Sequence, residues 1–124
     1  MTDLDVVRVS DGGGAERLRR AIVGLAEAPP TAEEAKRRPA TPGLAENLVF
    51  EFDEAYTAFV EGFESLPSEE QLLALQAVDT HVSSMVGAKD AALWTERARR
   101  EDACWVDARA LAAHVLRVFD WSAA

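Results

Sequence analysis

Between Leu44 and Ser65 the apolar residues return at helical spacing. At about 100° per residue, Leu48, Phe52, Ala55, Tyr56, Phe59, Val60 and Phe63 share one arc, and Glu46, Glu51, Asp53, Glu54, Glu61 and Glu64 fill the remainder. A segment patterned this way is stable only as an amphipathic helix whose apolar stripe lies on other elements. Phe50 breaks the pattern, projecting among the carboxylates, where it is either packed by another element or exposed to a partner.

Charge follows the same segment. Residues 39–88 carry nine carboxylates and no Lys or Arg, whereas residues 1–38 hold seven acids and seven bases and residues 89–124 hold six of each. The whole net charge of −9 therefore belongs to the middle of the chain. Such a field repels nucleic acid and anionic lipid and attracts a basic protein surface. No uninterrupted apolar stretch approaches the roughly 20 residues that span a bilayer. The opening MTDLDVVRV has no basic region followed by a long apolar run, and a single cysteine, Cys104, closes no intrachain disulfide, so a reducing cytoplasm is the expected setting.

The 124 residues suit one domain, which by surface scaling removes about two-thirds of its surface from water. Residues 1–14 read as a short strand or ordered arm, LDVVRV, followed by a Gly-rich turn. Leu18, Ala21, Ile22 and Leu25 mark a helix from Ala15 to Ala28 that Pro29 and Pro30 terminate. Residues 29–43 form a Pro-rich connector with a short helix started by a Thr31–Glu34 capping box. Ser68 and Gln71 form a second box, opening a helix that buries Leu72, Leu75, Val78, Val82, Met85 and Val86 and stops at Gly87. Asp90 caps a further helix from Ala91 to about Arg100. The last helix, Ala103 to Phe119, buries Cys104, Ala108, Leu111, Ala112, Val115, Val118 and Phe119, and Trp94 and Trp105, at the rim of the arc, are expected to pack in the core. One continuous rod would put Arg97 and Glu101 inside the apolar arc, so a bend belongs near 100–102, or else the two pair at i,i+4. The expected fold is all-α or nearly so: an irregular bundle of four to six helices with a short N-terminal strand at most.

Catalytic chemistry finds little support in these residues. His81 and His114 belong to no HxxxH, HExxH or ExxH pattern, so no metal site is expected. Cys104 lies on a core stripe, and no serine stands in a G-x-S-x-G or S-x-x-K context. Gly12, Gly13 and Gly14 lack the spacing of a phosphate loop, and no cofactor is expected. The Arg97, Arg99, Arg100 cluster is balanced by Glu96, Glu101 and Asp102 and does not suggest nucleic acid.

The leading expectation is a non-enzymatic interaction domain, an acidic binder or inhibitor of a basic protein partner. Its partner-facing residues are Glu46, Phe50, Glu51, Asp53, Glu54, Glu61 and Glu64. In charge and size, and in no motif, the chain resembles small acidic helical inhibitors such as bacterial immunity proteins. Two alternatives compete with it. One is a small-molecule-binding domain or small enzyme with a pocket lined by Tyr56, His81, Trp94 or Trp105, and the other is a homodimer completed by the arginine cluster or the N-terminal strand.

Overall fold

Residues 15–38, 43–62 and 68–121 are described by the computed structural model, and helices joined by short turns account for them. The expected N-terminal strand, the prolines flanking residue 40, Phe63, Glu64 and Pro67 lie outside the described residues. Helix α1 spans 15–26, followed by α2 (Ala32–Arg37), α3 (Leu44–Gly62), α4 (Glu69–Gly87), a 3-10 turn (Ala91–Trp94), α5 (Glu96–Glu101) and α6 (Ala103–Val118). The all-α expectation holds for every described element.

Both capping boxes form. Thr31 Oγ1 accepts from Glu34 N–H at 3.1 Å while the Glu34 carboxylate accepts from Thr31 N–H at 2.9 Å, and Ser68 and Gln71 repeat the exchange at the same two distances. Each box satisfies backbone donors that a bare helix start leaves without partners. Gln71 does more. With its Oε1 held by Ser68 N–H, its Nε2 turns outward and donates to the Val118 carbonyl at 3.2 Å. At the far end of α4, His81 Nε2 stands 2.7 Å from the Cys104 carbonyl. These two ties pair the start of α4 with the end of α6 and a later turn of α4 with the start of α6, so the two helices run antiparallel.

Trp105 is the largest fully buried side chain and sits where this pair meets the 3-10 turn. Its indole N–H donates to the Leu93 carbonyl at 2.7 Å, and Trp94 packs edge-on against it with ring centroids 5.9 Å apart. A buried indole needs such an acceptor, and here the turn's own backbone supplies it. Leu18, Ile22 and Leu25 of α1, Phe52 and Ala55 of α3, and Leu75, Val78 and Met85 of α4 complete the core. A Cβ on Gly24 would meet Leu48 Cδ2 at 3.2 Å, so glycine lets α1 lie close against α3.

The termini explain several departures from the sequence reading. Helix α4 ends at Gly87 as expected, but the left-handed step falls two residues later at Lys89, φ 53°, rather than on the glycine. Asp120 takes the same step after α6, φ 58°, and a full Schellman closure forms, with Asp120 N–H on the Arg117 carbonyl at 3.1 Å and Trp121 N–H on that of Leu116 at 2.8 Å. That closure folds Trp121 back onto Phe119 in a stack of 4.3 Å, and Phe119 meets Phe59 edge-on at 6.4 Å. Trp121 therefore docks on the body of its own chain.

The helix expected from Ala91 to Arg100 is instead two elements. Asp90 accepts from Ala92 N–H and starts the 3-10 turn, but Thr95 accepts from Ala98 N–H at 3.1 Å and restarts the chain as α5. A second break follows at Asp102, which caps α6 through Cys104 N–H at 2.8 Å, and Arg97 also pairs with Glu101 at 3.2 Å. The bend and the ion pair, posed as alternatives, coexist.

Burial also shifts by part of a turn. Ala45, Val49 and Ala74 are buried, whereas Val60 and Val86, expected in the core, are 42% and 53% exposed; Trp105 is buried as expected. Leu72, Cys104, Leu111, Val118 and Phe119 are half-buried rather than enclosed. Val86 lies on the edge of α4 that faces a gap between α3 and α4.

Candidate interaction groove

Helices α3 and α4 leave an open groove of about 510 Å³ between them. Glu46, Val49, Phe50 and Asp53 line it from α3, Val82, Ser83 and Val86 from α4, and Trp94 from the 3-10 turn. Helical periodicity accounts for the first set, because positions i, i+3, i+4 and i+7 fall on one face. The order along that face is acid, apolar, apolar, acid. Val49 and Val82 are buried and form the floor; Phe50, 57% exposed, and Val86 form the walls. Phe50 is thus exposed rather than packed, and an aromatic ring half in water beside a second exposed apolar side chain makes a ready contact surface.

No Lys or Arg lines this groove, and its two carboxylates are exposed. Farther along the same interhelical face, Tyr56 is half-buried and stacks on Phe52 at 5.4 Å. Burial raises the Tyr56 phenol above its ordinary range, and the negative charge of Asp79 on α4 adds to the shift. Negative potential therefore extends beyond the groove along the α3–α4 side.

The seven partner-facing residues expected from sequence do not form one surface. Glu46, Phe50 and Asp53 come together in the groove. Glu51 instead lines a separate hollow with Arg17, Arg20 and Gly24 of α1 and Leu48 of its own helix. Glu54 and Glu61 are exposed on α3 away from both linings, and Glu64 lies outside the described residues. Val49, Val82, Val86 and Trp94 are the groove members that sequence reading missed as such. A signal existed for Val49, which shares the i+3 position with Phe50 at i+4 between two acids.

The residues expected to share a small-molecule pocket are also separated. Trp94 belongs to the groove, His81 to a shallow hollow between α4 and α6, and Trp105 to the core. His81 is engaged with the Cys104 carbonyl, and the Cys104 thiol is held above its ordinary range, first by partial burial and then by its hydrogen bond to Asp102 and the charge there. A thiol shifted in that direction is a poor nucleophile at neutral pH. Among the described residues no three of His, Cys, Asp and Glu are grouped to hold a metal ion.

Two of the three arginines of the cluster, Arg97 and Arg99, are engaged within α5. Arg99, only 5% exposed, donates from Nη1 to both carboxylate oxygens of Glu96 at 3.0 Å, and Arg97 pairs with Glu101. Arg109 Nη1 donates to the Arg99 carbonyl at 2.6 Å, closing the end of α5; burial and the neighbouring Arg99 charge lower its pKa.

No helix among the described residues is long and apolar enough to cross a membrane. Comparisons with protein-family models, with curated proteins and with solved structures return no match to this chain, so the groove stands on its own chemistry.

Proposed function

We propose that this chain is a non-enzymatic protein-interaction domain, an acidic helical binder or inhibitor that takes a basic protein partner into the α3–α4 groove. One observation carries the reading: Phe50 is 57% exposed in an apolar groove whose charged lining residues, Glu46 and Asp53, are both acidic. An interface of this make-up couples an aromatic anchor, which sets the lifetime of the complex, to a negative rim that speeds encounter with a positive surface. The net charge of −9, confined to residues 39–88, reinforces the steering.

The test is capture from a cell lysate on immobilised wild type, F50A and the E46Q/D53N double variant, eluted by rising salt. A basic protein retained by wild type and lost from both variants supports the reading. Retention of the same proteins by all three baits, each shown folded by its thermal transition, overturns it.

A further inference from the structure

Resting on that reading, we infer that the groove takes its partner as a basic amphipathic α-helix, with two cations one heptad apart flanking a pair of apolar anchors. Helix α3 presents Glu46, Val49, Phe50 and Asp53 at i, i+3, i+4 and i+7. The two carboxylates are seven residues apart, about 10.5 Å along the axis. A partner helix laid along the groove meets this face with the complementary order of base, apolar, apolar, base. Its cations reach Glu46 and Asp53 while its anchors enter between Phe50 and Val86.

The spacing alone would also suit an extended segment, since three residues of strand cover about 10 Å. Backbone hydrogen bonding decides between them. The groove is walled by two helices whose own backbone groups are already paired, and the neutral polar side-chain groups of its lining are the Ser83 hydroxyl and the Trp94 indole N–H. An extended peptide would bury its N–H and C=O groups there with almost nothing to bond to, at a cost of roughly 1–3 kcal/mol for each group. A helix arrives with those groups satisfied internally. Charge fixes the sign of the partner, because both ionised side chains in the lining are carboxylates.

The experiment uses three synthetic peptides, the first two of one composition, on the full chain, followed by fluorescence anisotropy and by circular dichroism. The first carries Arg at i and i+7 and Leu at i+3 and i+4 on an Ala/Gln helix; the second moves both arginines to i+2 and i+9, the opposite face. The third exchanges a central residue of the first for proline. The expected result is binding of the first about tenfold tighter than the second, a gain of helicity on binding, and loss of the preference in E46Q/D53N. Equal binding of the proline peptide overturns the helical occupant and leaves the basic-partner reading standing. Failure of every cationic peptide to bind at millimolar concentration removes both. A dimer in light scattering that F50A dissolves assigns the groove to a second copy of the chain and likewise overturns the inference.

Discussion

The side-chain amide of Gln71 donates to the carbonyl oxygen of Val118 at 3.2 Å, tying the first turn of α4 to the last residue of α6. The same amide's oxygen completes the capping box with Ser68. Gln71→Glu separates these two roles, because glutamate still accepts from Ser68 N–H but cannot donate to Val118. We expect Q71E to lose about 1–2 kcal/mol, mostly from a carboxylate set against a carbonyl, and Q71A to lose a similar amount by forfeiting both bonds. Urea midpoints at constant slope measure both. A Q71E protein as stable as wild type would mean that the interhelical bond contributes nothing.

Gly87 and Lys89 offer a test of where α4 ends. Gly87 is helical with open space around its Cβ position, so Gly87→Ala should stabilise by about 0.5–1 kcal/mol. Lys89 occupies the left-handed region, so Lys89→Gly should stabilise by about 1 kcal/mol. Were Gly87 the left-handed stop instead, G87A would destabilise, and thermal unfolding separates the two signs.

Two ion pairs within α5 should differ sharply in weight. Arg97–Glu101 is exposed on both sides, 81% and 59%, and R97A should change stability by less than about 0.5 kcal/mol. Arg99–Glu96 is enclosed, with side chains 6% and 23% exposed. Glu96→Gln leaves a buried guanidinium without its counter-charge and should cost about 2–3 kcal/mol, whereas Arg99→Met, which removes the charge and keeps the bulk, should cost less. Equal effects for E96Q and R97A in chemical denaturation would contradict the burial of Arg99.

Cys104 supplies a pH-dependent test. Its thiol pKa is raised by burial first and by Asp102 next, so thiolate appears at higher pH in the folded chain than in the unfolded one. The unfolded state then releases its proton first as pH rises, and the stability contributed by this group is complete below the unfolded thiol pKa and lost above it. Alkylation by iodoacetamide should be slower in the folded protein than in denaturant at pH 8. Asp102→Asn keeps a residue able to cap α6 but removes the charge, and should shift the alkylation profile to lower pH. An unchanged profile in D102N would remove Asp102 as a cause.

What was legible in the sequence followed local physics. Thr31, Ser68 and Asp90 each act within their own turn, so their caps could be read from adjacent residues, whereas the cap at Asp102 was missed. Burial was harder to read because a helical wheel assigns a stripe without knowing how far away the facing helix stands. Val86 sits on an apolar edge of α4, yet α3 stands apart there, and the same separation that exposes it opens the groove. Trp105, expected to pack in the core from its place beside the α6 stripe, is buried there. It lies at the rim of the α6 arc, where the break at Thr95 lays the 3-10 turn over it, and Leu93 receives its N–H. Of the site, the acids and Phe50 were legible as one patterned face; the division of that face between the groove and the hollow beside Arg17 and Arg20 depends on tertiary placement.

On the proposed function, binding resides in the groove rather than in the acidity of α3 as a whole. Two variants with the same change of charge test this most directly: E46Q/D53N at the groove and E54Q/E61Q on exposed α3 positions outside its lining. Association and dissociation rates for the basic partner, measured across a salt series beside F50A, should show slower association in both double variants. Faster dissociation should appear only in E46Q/D53N and F50A, with melting temperatures unchanged. Equal dissociation rates for the two double variants, with F50A indistinguishable from wild type, would contradict the groove and leave only a diffuse electrostatic attraction.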